Sequence, residues 1–146
     1  MRTPFKVSLV ASCGVFFAAL LTTLLRNDTV NGHVLTPLEQ LPTALVLAVL
    51  FSVLALLGTW LGLRRSSVQH LTYRAGLAIA SLYVVATILA NAISHGAPQT
   101  VTLPSHEANV QLVKTLLIGT LWGIGAPYAI SLLIRKFKLL GTRNGA

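Results

Sequence analysis

The chain has 146 residues, of which 54% are hydrophobic and only 10% are charged, and its formal net charge is +8. So apolar a composition is unusual for a soluble domain and typical of a small membrane protein with several spans. A nucleic-acid-binding module would need its basic residues on one face of a folded domain, but here they lie in short tails and loops, so we expect no direct nucleic acid binding.

The first predicted span covers residues 7–25, an apolar run that follows the basic start MRTPFK. A basic start before an apolar run is also typical of a secretory signal, and residues 10–13 resemble a lipoprotein cleavage box. Cys13 lies too early for such a box, and the run continues beyond it without an A-x-A site. We therefore expect this segment to be retained as a transmembrane helix. As the single cysteine, Cys13 also excludes an intrachain disulfide and a CxxC redox site.

The second predicted span, residues 42–63, carries no charge. At about 1.5 Å per helical residue it reaches roughly 30 Å, the thickness of the hydrocarbon core of a bilayer. Backbone groups in lipid must be hydrogen-bonded within their own segment, which requires a helix. Arg64 and Arg65 end the span, because each would cost about 2.5 to 3.5 kcal/mol at mid-membrane.

Three polar segments are predicted to connect the spans. The first outer loop, residues 26–41, has Asn31-Gly32 as a turn signal and prolines at the start of the next helix. The second outer loop, residues 94–109, has two prolines and no helical period, and we expect it on the same side as the first. Residues 64–74 form a short basic connector on the opposite side.

The third and fourth spans are predicted at residues 75–93 and 110–134, and a basic tail follows at residues 135–146. Four spans joined by short loops make consecutive helices antiparallel. The sequence therefore predicts an all-α, polytopic membrane protein in which residues 1–146 form a single up-down-up-down four-helix bundle.

Positive charge is divided unequally between the two predicted membrane faces. Nine Lys and Arg residues lie on the face of the termini and the connector, and only Arg26 and Lys114 lie on the other face. The nine are Arg2, Lys6, Arg64, Arg65, Arg74, Arg135, Lys136, Lys138 and Arg143. Because short positive segments stay in the cytoplasm, this bias predicts that both termini are cytoplasmic, in a bacterial inner membrane.

Each span contains two small residues four positions apart, a spacing that allows membrane helices to approach closely. These pairs are Gly14 with Ala18, Gly58 with Gly62, Gly76 with Ala80, and Gly119 with Gly123. Small residues are common in membrane helices, so no single pair identifies a specific contact. Their presence in every span predicts a compact bundle that forms a homo-oligomer or joins a larger membrane complex.

The last span contains a helix break at Gly123, Gly125 and Pro127. Pro127 lacks the N–H that would bond the carbonyl of Gly123, so we expect a kink near mid-membrane. The kink is either a static bend or the hinge of a pore, as in transporters with broken helices. The spans hold no Asp, Glu or His at mid-depth, which argues against a carboxylate-driven exporter or a proton pump.

Histidine and glutamate residues in the outer loops are the one group that resembles a chemical site. They are His33 and Glu39 in the first loop and His95, His106 and Glu107 in the second, and the metal candidates among them are His33, His95, His106 and Glu107. Imidazole and carboxylate groups together bind zinc, but these residues lack the spacing of a known metal motif. We expect solvated loop residues, no metal and no cofactor, and keep an outer-face metal-dependent enzyme as an alternative.

The basic residues of the inner face have two interpretations. They attract anionic lipid, or they dock an acidic patch on a soluble cytoplasmic protein. The docking candidates are Arg64, Arg65, Arg74, Arg135, Lys136 and Lys138. We expect a small non-catalytic membrane subunit that self-assembles or docks a partner and relays an envelope signal to it. The alternative in the transport class is an oligomeric channel or transporter gated between Gly123 and Pro127.

Overall fold

The computed structural model of the protein describes residues 3–30, 32–64, 73–93, 100–101 and 106–141. Four helices account for most of these residues. They are α1 (Thr3–Leu24), α2 (Pro37–Arg64), α3 (Tyr73–Ile93) and α4 (His106–Gly141). The predicted all-α fold is thus confirmed, and all four helices are long and apolar enough to span a membrane.

The helices extend beyond the predicted spans at their polar ends. Helix α2 begins at Pro37, within the predicted loop, and α4 continues to Gly141 through half of the predicted tail. Apolar runs mark only the part of a helix that lies in hydrocarbon, so hydropathy does not show where the helix itself ends. Pro42 lies inside α2. The carbonyl that it leaves unbonded belongs to Leu38, in the first turn of the helix, where the chain is exposed.

Each helix packs against two others. Helix α1 contacts α2 and α3, and α4 contacts the same two helices, whereas the described parts of α2 and α3 do not contact each other. Helices α2 and α3 therefore lie on a diagonal of the bundle although they are consecutive in the sequence. The main buried cluster contains Val7, Ala11, Val15, Ala55, Leu63, Ala75, Ile79, Tyr83 and Ile130.

A small three-stranded sheet joins the two predicted outer loops. Strand β1 (Thr29–Val30) pairs antiparallel with β2 (His33–Val34) and parallel with β3 (Thr100–Val101). Gly32 has a φ of 80°, a left-handed conformation that a glycine adopts without strain, and it lies in the turn between β1 and β2. Two-residue strands have no detectable periodicity, so the sequence did not predict this sheet.

Candidate functional site

Close contact between α1 and α3 depends on two of the predicted small residues. A β-carbon on Gly14 would lie 2.5 Å from the β-carbon of Ala80. A β-carbon on Gly76 would lie 2.8 Å from the carbonyl oxygen of Val7 and 3.1 Å from the β-carbon of Val10. Real β-carbons essentially never approach another atom within 3.0 Å, and each position has one contact below that distance, so both need glycine to keep the present helix separation.

Helices α2 and α4 make the same kind of contact. A β-carbon on Gly58 would overlap the carbonyl oxygen of Ile124, and one on Gly62 would lie 2.7 Å from the β-carbon of Ser131. Gly123 of α4 faces α2, because a β-carbon added to Gly123 would lie 2.9 Å from a methyl carbon of Leu54. The glycines thus bring α2 and α4 into backbone contact.

The other two predicted small residues are Gly119 and Ala18. A β-carbon on Gly119 would lie 3.7 Å from the ring of Phe51, which is an ordinary van der Waals distance. Ala18 is half-buried, and its carbonyl accepts a hydrogen bond from the Thr22 hydroxyl at 2.6 Å. Gly119 therefore does not limit how closely α2 and α4 approach.

The predicted helix break lies inside a helix that is continuous from His106 to Gly141. Pro127 is fully buried, and its carbonyl accepts a hydrogen bond from the Ser131 hydroxyl at 2.6 Å. Gly123 is buried against α2, whereas a β-carbon on Gly125 would meet no atom within 4 Å. Two of the three residues are therefore packed within the bundle.

Helices α3 and α4 are buried in only one half of their length. The buried residues of α3 lie between Ala75 and Tyr83, and those of α4 lie between Gly123 and Ser131. In the other half, residues 109–118 of α4 are exposed. These buried parts meet the other two helices: Gly76 and Ala80 of α3 lie against α1, and Gly123 and Ser131 of α4 lie against α2.

Trp122 and Thr87 connect α4 to α3 by a hydrogen bond. The indole N–H of Trp122 donates to the hydroxyl oxygen of Thr87 at 3.3 Å, and that hydroxyl donates to the carbonyl of Tyr83 at 2.9 Å. Beyond this contact lies an open apolar cleft of about 520 Å³. Its lining residues are Ala86, Leu89, Ala90, Ile93 and Trp122.

The basic docking candidates that the structure describes lie within two turns of a helix end. Arg64 is the last residue of α2, and its guanidinium carbon lies 5.1 Å from the ring centroid of Trp60. Arg74 is the second residue of α3, and Arg135 and Lys136 follow the buried part of α4 by one turn. None of these four forms an ion pair within the described residues. Arg65 and the side chain of Lys138 lie outside the described residues.

The first outer loop holds both carboxylates whose side chains the structure describes. Asp28 pairs with Arg26, with an N–O distance of 3.4 Å. Glu39 accepts hydrogen bonds from the backbone N–H of Thr36 at 2.8 Å and from its hydroxyl at 2.9 Å. These two bonds lower the pKa of Glu39 below its ordinary value. Gln40 ties the loop to α2, because its side-chain N–H₂ donates to the carbonyl of Arg26 at 3.0 Å.

Thr36 and Glu39 form a capping box that the sequence reasoning missed. The pattern Thr-x-x-Glu before an apolar run is its signal, and the Pro that follows Thr36 is common at the first position of a helix. The box fixes the start of α2 at Pro37.

The structure describes only one of the side chains of the three outer-loop histidines. The ring nitrogen Nε2 of His33 lies 3.8 Å from a carboxylate oxygen of Glu39. His95 and the side chains of His106 and Glu107 lie outside the described residues. Within the part of the chain that is described, no group of three His, Cys, Asp or Glu residues could hold a metal ion.

Comparison with known proteins gives no relative: no family model, curated protein or solved structure matches this chain.

Proposed function

We propose that this protein is a non-catalytic subunit of a bacterial inner membrane that self-assembles or docks a soluble partner at its basic cytoplasmic end. The observation that carries the proposal is that none of the four described basic docking candidates forms an ion pair within the described residues.

The order of the glycine contacts supports a parallel arrangement within two helix pairs. Along α1 and α3, Val7 meets Gly76 and Gly14 meets Ala80, so the residue numbers rise together. A parallel pair gives this order of contacts.

The residue numbers also rise together along α2 and α4, since Gly58 meets Ile124 and Gly62 meets Ser131. This order favours a parallel pair. The order is reversed between α1 and α2: Ser12 donates to the carbonyl of Ser52 at 2.8 Å, and Gln40 contacts Arg26. These three relationships together favour the up-down-up-down order.

In this arrangement the described basic docking candidates lie at one end of the bundle. Gly62 and Ser131 are in contact, and Arg64 and Arg135 follow them by two and four residues. Asp28 and Glu39 lie at the opposite end, where both already have partners. Such a separation favours cytoplasmic termini by the positive-inside rule and leaves the basic end to bind anionic groups.

Helix α2 connects the first outer loop to the basic end of the bundle, so a change in that loop could alter partner binding at the basic end. It is continuous from the Thr36 cap to Arg64, and Gln40 links it to the loop that carries β1. We include relay of an envelope signal in the proposal for this reason.

The channel alternative requires the segment from Gly123 to Pro127 to line a pore. Both end residues are buried within one chain, which favours a static bend over a gate. The outer-face enzyme alternative depends on residues whose side chains are mostly outside the described part, and it gains no support from His33.

Affinity purification in mild detergent tests the docking proposal. We expect the wild-type protein to retain a soluble companion at fixed stoichiometry. A variant with Arg64, Arg135 and Lys136 replaced by Gln should lose it, because the Coulomb attraction at the interface is removed.

Arg26→Gln is the matched control, since it removes one cation at the opposite end and should keep the companion. Self-assembly is read from the mass of the same particles. A monomer without a companion in native lipid would overturn the proposal, as would a companion that the triple variant retains.

A further inference from the structure

Phe137 lies on the side of α4 that faces the bundle, although this residue is 70% exposed. It follows Ile130 by seven residues and Ile134 by three, a spacing that places all three residues on one face of a helix. Ile130 is buried in the main cluster, and Ile134 packs against that cluster. Phe137 therefore continues the apolar face by which α4 packs in the bundle.

Helix α4 reaches farther than α2 at the end where Gly62 meets Ser131. Helix α2 ends at Arg64, two residues or about 3 Å beyond this contact, whereas α4 ends at Gly141, ten residues or about 15 Å beyond it. With the two helices parallel, as in the proposed arrangement, Phe137 lies about 6 Å beyond the level of Arg64. Helix α2 therefore ends too early to cover Phe137.

Two lysines are the neighbours of this aromatic residue, in the sequence KFK at residues 136–138. Successive residues of a helix are turned by about 100°, so positions 136 and 138 lie on either side of Phe137. Lys136 is exposed and forms no ion pair within the described residues. An exposed aromatic residue beside a free cation is typical of an interface with an apolar anchor at its centre and charges at its rim.

We propose that Phe137 is the anchor of the docking surface, and that the soluble partner receives it in an apolar pocket edged by carboxylates. The inference rests on the proposed docking function and specifies the chemistry of the partner. The pocket supplies the apolar cover that α2 does not provide, and the carboxylates complement the two lysine positions.

Depth and direction argue against lipid as the occupant of this site. Arg64 ends a span that carries no other charge, so it marks the inner surface of the hydrocarbon core. The headgroup layer adds about 5 to 7 Å on each side of that core, so Phe137 lies near its outer edge. Acyl chains surround the sides of the bundle, whereas Phe137 shares the face that α4 directs at the other helices.

A second copy of the chain has its acidic residues at the wrong end. Asp28 and Glu39 belong to the first outer loop, and Glu107, the second residue of α4, precedes Phe137 by thirty residues or about 45 Å. These three are all the acidic residues of the sequence. Copies inserted in the same orientation would keep them on the opposite side of the membrane. The side-chain carboxylates must therefore belong to a different protein.

Photo-cross-linking from residue 137 tests the proposal. Benzoylphenylalanine, which on irradiation reacts with the groups that it touches, would replace Phe137 in the full chain within bacterial cells. We expect an adduct with a soluble protein, and mass spectrometry should place the cross-link in an apolar segment that also contains Asp or Glu. The same label at Phe17, a residue of the first span that is 67% exposed, is the matched control and should give no soluble adduct.

Titration of the cross-linked protein against the purified chain in lipid nanodiscs measures the contribution of the anchor. Phe137→Ala should weaken the affinity about tenfold or more, the effect expected of an anchor residue. Phe17→Ala removes a ring of similar exposure in the lipid-spanning region and should leave the affinity unchanged. Lys136→Gln should weaken binding at low salt and have less effect at high salt, because salt screens a charge at the rim.

An adduct formed only with phospholipid, with a second copy or with residues 65–72 of the same chain would overturn the inference, as would the absence of any adduct. A soluble adduct whose contacted segment has no carboxylate would also overturn it. A companion that Phe137→Ala retains in full but the triple Gln variant loses would overturn this inference and leave the docking proposal standing. A protein without any companion would overturn both.

Discussion

Gly58 lies against the carbonyl oxygen of Ile124 so closely that a β-carbon at residue 58 would overlap that oxygen. The atom that it would meet is backbone, which cannot turn away as a flexible side chain can. Any larger residue at this position must push α4 away from α2 and open the packing around Gly62 as well.

We expect Gly58→Ala to destabilise the bundle by about 1 to 3 kcal/mol, the usual cost of overpacking. Gly125→Ala is the matched control, because its added methyl meets no atom within 4 Å. We expect Gly125→Ala to be neutral or to stabilise the bundle by about 0.5 to 1 kcal/mol, because glycine is unfavourable inside a helix. Unfolding in mixed micelles with increasing denaturing detergent, followed by circular dichroism, measures both. Equal stability of the two variants would contradict the proposed role of the α2–α4 contact.

Ser12→Ala should weaken the contact between α1 and α2. The hydroxyl of Ser12 donates to the carbonyl of Ser52 across the interface, and such bonds contribute about 0.6 kcal/mol on average within membranes. Ser81→Ala is the comparison, because its exposed hydroxyl donates to Leu77 of its own helix and should contribute little. The same unfolding measurement applies, and a larger loss at Ser81 would refute the assignment.

The start of α2 should depend on pH through Glu39. Hydrogen bonds from Thr36 lower the pKa of Glu39 below its ordinary value of 4.5. A group with a lowered pKa in the folded state stabilises that state at pH values above its ordinary pKa, and this contribution is lost as pH falls through the folded value. Amide exchange at the first turn of α2, corrected for intrinsic rates, should therefore accelerate in acid below pH 4.5.

Glu39→Gln should remove this acid sensitivity, because the amide does not titrate. His33→Gln should preserve it, since the bonds from Thr36 affect the pKa of Glu39 more than His33 does. If the acid sensitivity instead disappeared with His33→Gln, the capping box would not be its source.

Opposite ends of the bundle should be accessible from opposite sides of the membrane. In a Cys13→Ser background, His33→Cys and Lys136→Cys each place one thiol near an end. We expect a membrane-impermeant maleimide to label residue 33 in intact bacterial cells, and residue 136 only after permeabilisation, as the positive-inside rule requires. Labelling in the reverse order would show that the proposed orientation is wrong.

The four helices were predictable because a segment that crosses lipid must meet strict requirements of length, polarity and hydrogen bonding. Lipid requires an apolar segment of about 20 residues with all its backbone hydrogen bonds satisfied internally, and the sequence shows that requirement directly. The start of α2 at Pro37 was also predictable from the sequence, because the Thr36 and Glu39 pattern is typical of a helix N-terminus.

The arrangement of the helices was less accessible to sequence reasoning. Hydropathy indicates which segments lie in lipid, but it does not indicate which segments meet, so it gave no sign that α2 and α3 lie on a diagonal. The hydrogen bond between Trp122 and Thr87 joins residues 35 positions apart, and neither residue has a local pattern that identifies the other.

The tightest glycine contacts all connect the first two helices to the last two. Gly14 on α1 and Gly58 and Gly62 on α2 meet residues that follow residue 73 in the chain. During biosynthesis, helices α1 and α2 would enter the bilayer while the segments that cover these bare backbone patches are still inside the ribosome. The glycine patches of the nascent α1–α2 hairpin would therefore contact lipid until α3 and α4 are made. Packing of these last two helices would then cover the patches.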